Sequence, residues 1–259
     1  MTFQQFRLPL LALAGSVLFA ASASAADYTE KFQQSHPLAA GGSVSLSNMN
    51  GDVEIVAWDR DEVRIDAEKF AKDEERLERI SIEVDAQPDR ITIKTKYPKS
   101  DRSWFGGWKN NNPGGVRYTL RVPARLSHLK VDTMNSDVTA EGVRGNVKIA
   151  TMNGRINATG LDGDANLDSM NGRIFASFDA VRDGQKISLD TMNGSCTVEV
   201  PRDSGAKVRA STMNGRVRAE LPITVERSSR RSLRGTLGDG GASITLDSMN
   251  GSINLRGRS

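Results

Sequence analysis

Four aspartates, Asp132, Asp168, Asp190 and Asp247, each stand two residues ahead of a methionine. Asp52, Asp137, Arg155, Arg173 and Arg216 each stand three residues after one. Carboxylates at fixed spacing are the groups that polysaccharide hydrolases use as general acids and bases, and a row of them can hold a cation or a charged polymer. Catalysis needs two of them, or an Asp with a Lys or Arg, to converge on one substrate bond. Other catalytic signals are scarce. The two histidines, His36 and His128, are isolated, and no His-x-x-x-His or Cys/His cluster is present, so no metal site is expected. There is no Gly-x-Ser-x-Gly elbow and no Walker loop. The stretch GTLGDGG (Gly235 to Gly241) lacks the Lys-Ser/Thr of a phosphate loop and reads as a turn. The carboxylates therefore read as a solvated strand face, with ion pairs worth about 0–1 kcal/mol each. No catalytic residue and no cofactor is expected.

Contact residues are a better match to this composition. Trp104, Phe105, Trp108 and Lys109 lie together in the Gly-, Asn- and Pro-rich segment 97–115. Aromatic side chains in such a loop either cap the fold or touch a partner, and Trp and Arg are favoured contact residues. The charge is uneven. Residues 59–85 carry 11 acids against 6 bases, and residues 202–234 carry 9 bases against 3 acids. The second segment, with Arg230 and Arg231, is the basic patch that an anionic lipid, polysaccharide or nucleic acid could meet. Residues 26–259 as a whole carry 34 basic and 32 acidic residues, a balance that selects no particular partner.

The elements that position these groups come from a repeat. Apart from Met1, all methionines precede an asparagine: Met49, Met134, Met152, Met170, Met192, Met213 and Met249. Their spacings are 85, 18, 18, 22, 21 and 36 residues. With Met at position 0, apolar residues recur at −5 and −3 (Val147 and Ile149, Ile187 and Leu189) and at +4 and +6 (Ile156 and Ala158, Cys196 and Val198). Thr, Ser or once Asn stands at −1. This period-2 alternation marks strands with one buried face, and it makes Cys196 a core thiol. Asn-Gly marks a change of direction, for which Gly offers positive φ. The expected fold is all-β: a single-domain right-handed β-solenoid, with an antiparallel hairpin-repeat sandwich as the alternative. Identical Met-Asn in seven repeats favours the solenoid, where like residues stack about 4.8 Å apart and Asn side chains can form a ladder. Whether the methionines face core or solvent stays open at this level.

Three segments follow. Residues 1–25 read as a signal peptide: Arg7, an apolar run from Leu8 to Ala20, then Ala-x-Ala. Residues 26–128 form an N-terminal β-rich part, with a short helix in AKDEERLERI that turns Leu77 and Ile80 inward. Residues 129–259 hold the repeats. The protein is expected in the periplasm or secreted, without a transmembrane span after cleavage.

The units LKVDTMNSDV, VKIATMNGRI and ISLDTMNGSC, with VEIVAWDRDEVRIDAEK before them and GTLGDGGASITLDSMNGSINL after, resemble the bacterial DUF4097 family of adhesin-like β-strand repeat proteins. The resemblance implies a β-helix-like exported envelope protein with no established catalytic residues. It implies a non-catalytic binding or scaffold module whose partner is an envelope protein or a polysaccharide, not a nucleic acid. Self-association through the solenoid ends is a further expectation. The alternatives are an envelope-stress sensing partner, which rests on family analogy alone, or a polysaccharide-active enzyme.

Overall fold

The computed structural model describes residues 28–97 and 114–258. The signal segment and Trp104, Phe105, Trp108 and Lys109 lie outside these described residues. The N-terminal part contributes β1 (Tyr28–Pro37), β2 (Ser43–Ser47), β3 (Val53–Trp58), β4 (Glu62–Ala71), α1 (Glu74–Glu78), β5 (Ser81–Gln87), β6 (Arg90–Lys96) and β7 (Gly115–Pro123). The middle contributes β8 (Arg125–Asp132), β9 (Val138–Glu141), β10 (Arg144–Asn153), β11 (Ile156–Leu161), β12 (Ala165–Asn171), β13 (Ile174–Phe178), β14 (Lys186–Asn193) and β15 (Cys196–Pro201). The end contributes β16 (Ala206–Thr212), β17 (Val217–Ala219), β18 (Ile223–Ser228), β19 (Ser232–Leu237), β20 (Ala242–Asn250) and β21 (Ile253–Arg258).

The strand before each Met-Asn-Gly and the strand after it belong to different sheets. One sheet runs β18-β19-β16-β20-β14-β12-β10-β8-β2-β6-β5, the other β1-β4-β7-β3-β9-β11-β13-β15-β21-β17. Each repeat is thus one rung of a solenoid, and like positions stack in parallel register. Ile149 pairs with Leu167, Leu167 with Leu189, and Leu189 with Leu246. Opposite them Ile156 pairs with Ile174, Ile174 with Cys196, and Cys196 with Ile253. These side chains are all but fully buried and form one core between the sheets. Burying each large aliphatic residue contributes about 1.5–3 kcal/mol. The hairpin-repeat alternative fails because hairpin strands would pair antiparallel across Asn-Gly.

Among the described residues antiparallel pairing is confined to the two ends, where β1–β4–β7, β5–β6 and β18–β19–β16 close the stack. The short helix forms as expected: Asp73 Oδ1 accepts the Arg76 N–H at 2.9 Å, and Leu77 and Ile80 are buried. The 36-residue spacing between Met213 and Met249 holds an insertion, the β18–β19 hairpin. The rungs are also out of sequence order. The Met249 strand β20 lies between β14 and β16, so the rungs stack in the order 49, 134, 152, 170, 192, 249, 213.

Candidate functional site

The corner itself is built by three stacked interactions. At five rungs the hydroxyl at −1 points inward and donates to the carbonyl at +2 of the neighbouring rung: Thr151 to Ser136 O at 3.2 Å, Ser169 to Gly154 O at 3.0 Å, Thr191 to Gly172 O at 3.0 Å, Ser248 to Gly194 O at 2.9 Å, Thr212 to Gly251 O at 2.8 Å. The asparagines form an unbroken ladder. Asn135 Nδ2 donates to Asn50 Oδ1, Asn153 to Asn135, Asn171 to Asn153, Asn193 to Asn171 and Asn250 to Asn193, all at 2.8 Å, and Asn214 to Asn250 at 2.9 Å. At the Met49 end Asn50 Nδ2 donates to Gly114 O at 3.0 Å, and the Tyr97 hydroxyl donates to Asn48 Oδ1 at 2.8 Å. Both residues that flank segment 98–113 therefore bond the Met49 corner.

The glycines correct the sequence expectation. Only Gly51 among the corner glycines has positive φ, at 105°. Gly is required elsewhere by proximity. A Cβ on Gly172 would lie 1.8 Å from Gly154 O, on Gly194 1.9 Å from Gly172 O, and on Gly251 1.7 Å from Gly194 O.

All seven methionines face outward, 36% to 60% exposed. Asp132, Asp168, Asp190 and Asp247 share that outer face. Asp168 stacks on Asp190, and Asp190 on Asp247. Partial burial, then the like charge of Asp190, raises the pKa of both Asp168 and Asp247. An open groove is lined by Met152, Met170 and Met192 with Asp132, Asp168 and Asp190. Just ahead of β9 and β11, Arg155 Nε and Nη2 both donate to Asp137 Oδ2, at 3.0 and 2.7 Å, and the Arg155 N–H donates to Asp137 Oδ1, which lowers the Asp137 pKa against the opposing effect of burial. These carboxylates stand in file along the rungs, and among the described residues no three His, Cys, Asp or Glu groups converge as a metal-binding set. Cys196 is buried, and desolvation pushes its thiol up to about 12.

The basic patch acquires a definite shape. The turn between β18 and β19 folds back onto the Met213 rung: Val217 N–H donates to Arg230 O at 3.0 Å, and Thr212 N–H to Arg231 O at 2.9 Å. Ser229 Oγ braces the turn by accepting the Arg231 and Ser232 N–H groups at 3.2 and 3.0 Å. This brings Arg230 and Arg231 beside Arg216 and Arg218 in one depression completed by Asn214, Gly215 and Ser252. The depression contains no acidic residue, and none of the four arginines has an ion-pair partner among the described residues. Sequence reading found two of the four. Arg216 carried a signal as the +3 residue of its rung, but Arg218 joins only because the hairpin folds back.

A stack of parallel rungs with a hydrogen-bonded polar corner and antiparallel caps defines a β-solenoid repeat protein. Residues 120–256, more than half of the chain, match the family profile described as Toastrack DUF4097, and the chain belongs to that family. Among solved structures, it is similar to a "putative cell adhesion protein" from Clostridium sporogenes at 12% identity, with 88% of this chain and 100% of that one covered and a TM-score of 0.46. It is also similar to a "putative adhesin" from Bacteroides fragilis (11% identity, 87% and 97% covered, TM-score 0.33). A third likeness is to a "putative lipid binding protein" from Parabacteroides distasonis (12% identity, 87% and 96% covered, TM-score 0.33). No curated protein matches the chain.

Proposed function

We propose that this protein is an exported, non-catalytic module of the cell envelope that binds a carboxylate- or phosphate-bearing polysaccharide through the arginine depression at the Met213 end. The observation that carries this reading is the set of four unopposed guanidinium groups, Arg216, Arg218, Arg230 and Arg231, held in one concavity by backbone hydrogen bonds. Arginine offers a planar fork of donors that fits carboxylate and phosphate oxygens two at a time. Binding is favoured over catalysis because the carboxylates of this fold lie in rows pointing outward, not across a cleft. Titration with polygalacturonate, against neutral dextran as control, tests the reading. Wild type should bind the acidic polymer with an affinity that falls as salt rises. Arg230→Ala/Arg231→Ala and Arg216→Ala/Arg218→Ala should each weaken it. Equal binding by both variants and wild type overturns the assignment. Export is tested separately: protein recovered from the native envelope should begin at Ala26, and a retained segment 1–25 would contradict cleavage.

A further inference from the structure

Every residue of the Met-Asn-Gly corner has a structural reason except the first. Thr or Ser bonds the neighbouring carbonyl, Asn forms the ladder, and Gly admits the carbonyl that a Cβ would strike. The methionines are exposed and support none of this. The next outward row, two residues earlier, is mixed: Ser47, Asp132, Ala150, Asp168, Asp190, Ser211 and Asp247. The fold therefore accepts many side chains on this face. β-Branched or aromatic residues would suit an outward strand position at least as well. A row of seven methionines needs an explanation in what methionine alone supplies.

That property is a neutral, polarisable thioether. Soft sulfur donors select Cu(I) over the harder divalent ions. The geometry suits it. Thr151 pairs with Ser169 and Asn153 with Asn171, so Met152 and Met170 lie side by side, and the same pairs on the next rung set Met192 beside Met170. Rungs stack about 4.8 Å apart. First-row metal–sulfur bonds run about 2.3 Å, so an ion in line between two sulfurs needs them about 4.6 Å apart. Three rotatable bonds per side chain let a third sulfur close in. The groove beside these three methionines is lined by Asp132, Asp168 and Asp190, whose charge attracts a cation. Asp168 stacks on Asp190 and Asp190 on Asp247, so carboxylates run in file beside the methionine row.

We propose that the methionine row is a Cu(I)-binding array, with the thioethers of Met152, Met170 and Met192 holding the ion in the groove beside Asp168 and Asp190. This site is separate from the arginine depression and stands or falls without it. The test is an anaerobic titration of the whole protein with Cu(I), kept reduced by ascorbate and buffered by bicinchoninate, with Ag(I) as a redox-inert second probe. Wild type should take at least one equivalent from the chelator, and X-ray absorption should show sulfur neighbours at about 2.3 Å. Met152→Leu/Met170→Leu/Met192→Leu keeps the apolar bulk and every His, Cys and carboxylate. It should lose affinity by about tenfold or more, and millimolar Ca²⁺ should not compete with either probe. Should that variant fail to fold, norleucine incorporated throughout, isosteric with methionine, provides the same comparison. Retention of wild-type Cu(I) affinity by the triple leucine variant or by the norleucine protein, nitrogen or oxygen neighbours in place of sulfur, displacement by Ca²⁺, or no uptake by wild type overturns the proposal.

Discussion

Gly172→Ala is the sharpest probe of how this solenoid is held together. Two explanations of the corner glycines predict opposite rankings. If glycine were needed for backbone conformation, the worst positions would be those with positive φ, such as Gly184 at 79°. There an alanine meets nothing within 4 Å, and the change costs about 1–2 kcal/mol of conformational strain. Gly172 has no positive φ, yet its Cβ would lie 1.8 Å from Gly154 O and 2.8 Å from Ser169 Oγ. Oxygen and carbon need more than 3 Å, so the two rungs must part by over an ångström. Such overpacking costs about 1–3 kcal/mol. The parting also stretches the Ser169 bond to Gly154 O at 3.0 Å and the Asn171 bond to Asn153 at 2.8 Å, each worth about 1 kcal/mol. Together the loss is about 3–5 kcal/mol. Urea unfolding followed by the far-ultraviolet β signal measures it, read as the shift in midpoint for Gly172→Ala beside Gly184→Ala. A Gly172→Ala midpoint at or above that of Gly184→Ala would refute close rung stacking as the reason for glycine.

Met170→Lys should change the melting temperature little, within about 0.5 kcal/mol of wild type, because the side chain stands outside the core; a large loss would place the sulfur inside. Asp190→Asn should stabilise the protein at neutral pH by about 0.5 kcal/mol, since it removes the like charge between Asp168 and Asp247. The folded chain holds protons on those two carboxyls at higher pH than the unfolded chain does, so the penalty exists above their folded pKa and is relieved as pH falls through it. The gain from Asp190→Asn should therefore fade in acid, and a gain that grows on acidification contradicts the assignment. Deleting residues 242–259 removes β20 and β21 from between two rungs, not from an end. Hydrogen exchange should then show β16–β19 unprotected while β8–β13 keep their protection, and persistent protection of 206–237 would refute the rung order.

Period-2 alternation made the buried positions readable one by one, from Ile149 and Leu189 to Cys196, because a solenoid rung is a strand with one wet face. The order of rungs was not readable. Nothing in the Met249 repeat distinguishes it from a terminal rung, yet β20 pairs with β14 on one side and β16 on the other, while the β18–β19 hairpin covers the free edge of β16. The arginine depression was half readable for the same reason: Arg230 and Arg231 are a local cluster, but Arg218 meets them only through the backbone bond from Val217 to Arg230. The glycine expectation missed because close approach between rungs is a property of the stack, and a single repeat carries no trace of it.

The direction of the methionines shows where alternation stops being informative. Counted from the residues before it, with Ile149 and Thr151 inward, Met152 falls outward. Counted back from Ile156 and Ala158, which are also inward, it falls inward, because four residues preserve the parity. The two counts conflict, so the pleat must lose its phase once within each corner. The structure locates the loss. β10, β12, β14 and β20 all run through the asparagine, so Met belongs to the upstream strand and the upstream count holds. The phase breaks after Asn, at the glycine, where the neighbouring rung's carbonyl comes too close for any side chain. The outward setting holds even where the strand stops short: β2, β8 and β16 end before Met49, Met134 and Met213, and Ser136 takes the place of glycine after Asn135, yet these three thioethers are exposed too, so the upstream phase sets their direction and the glycine packs the rungs together.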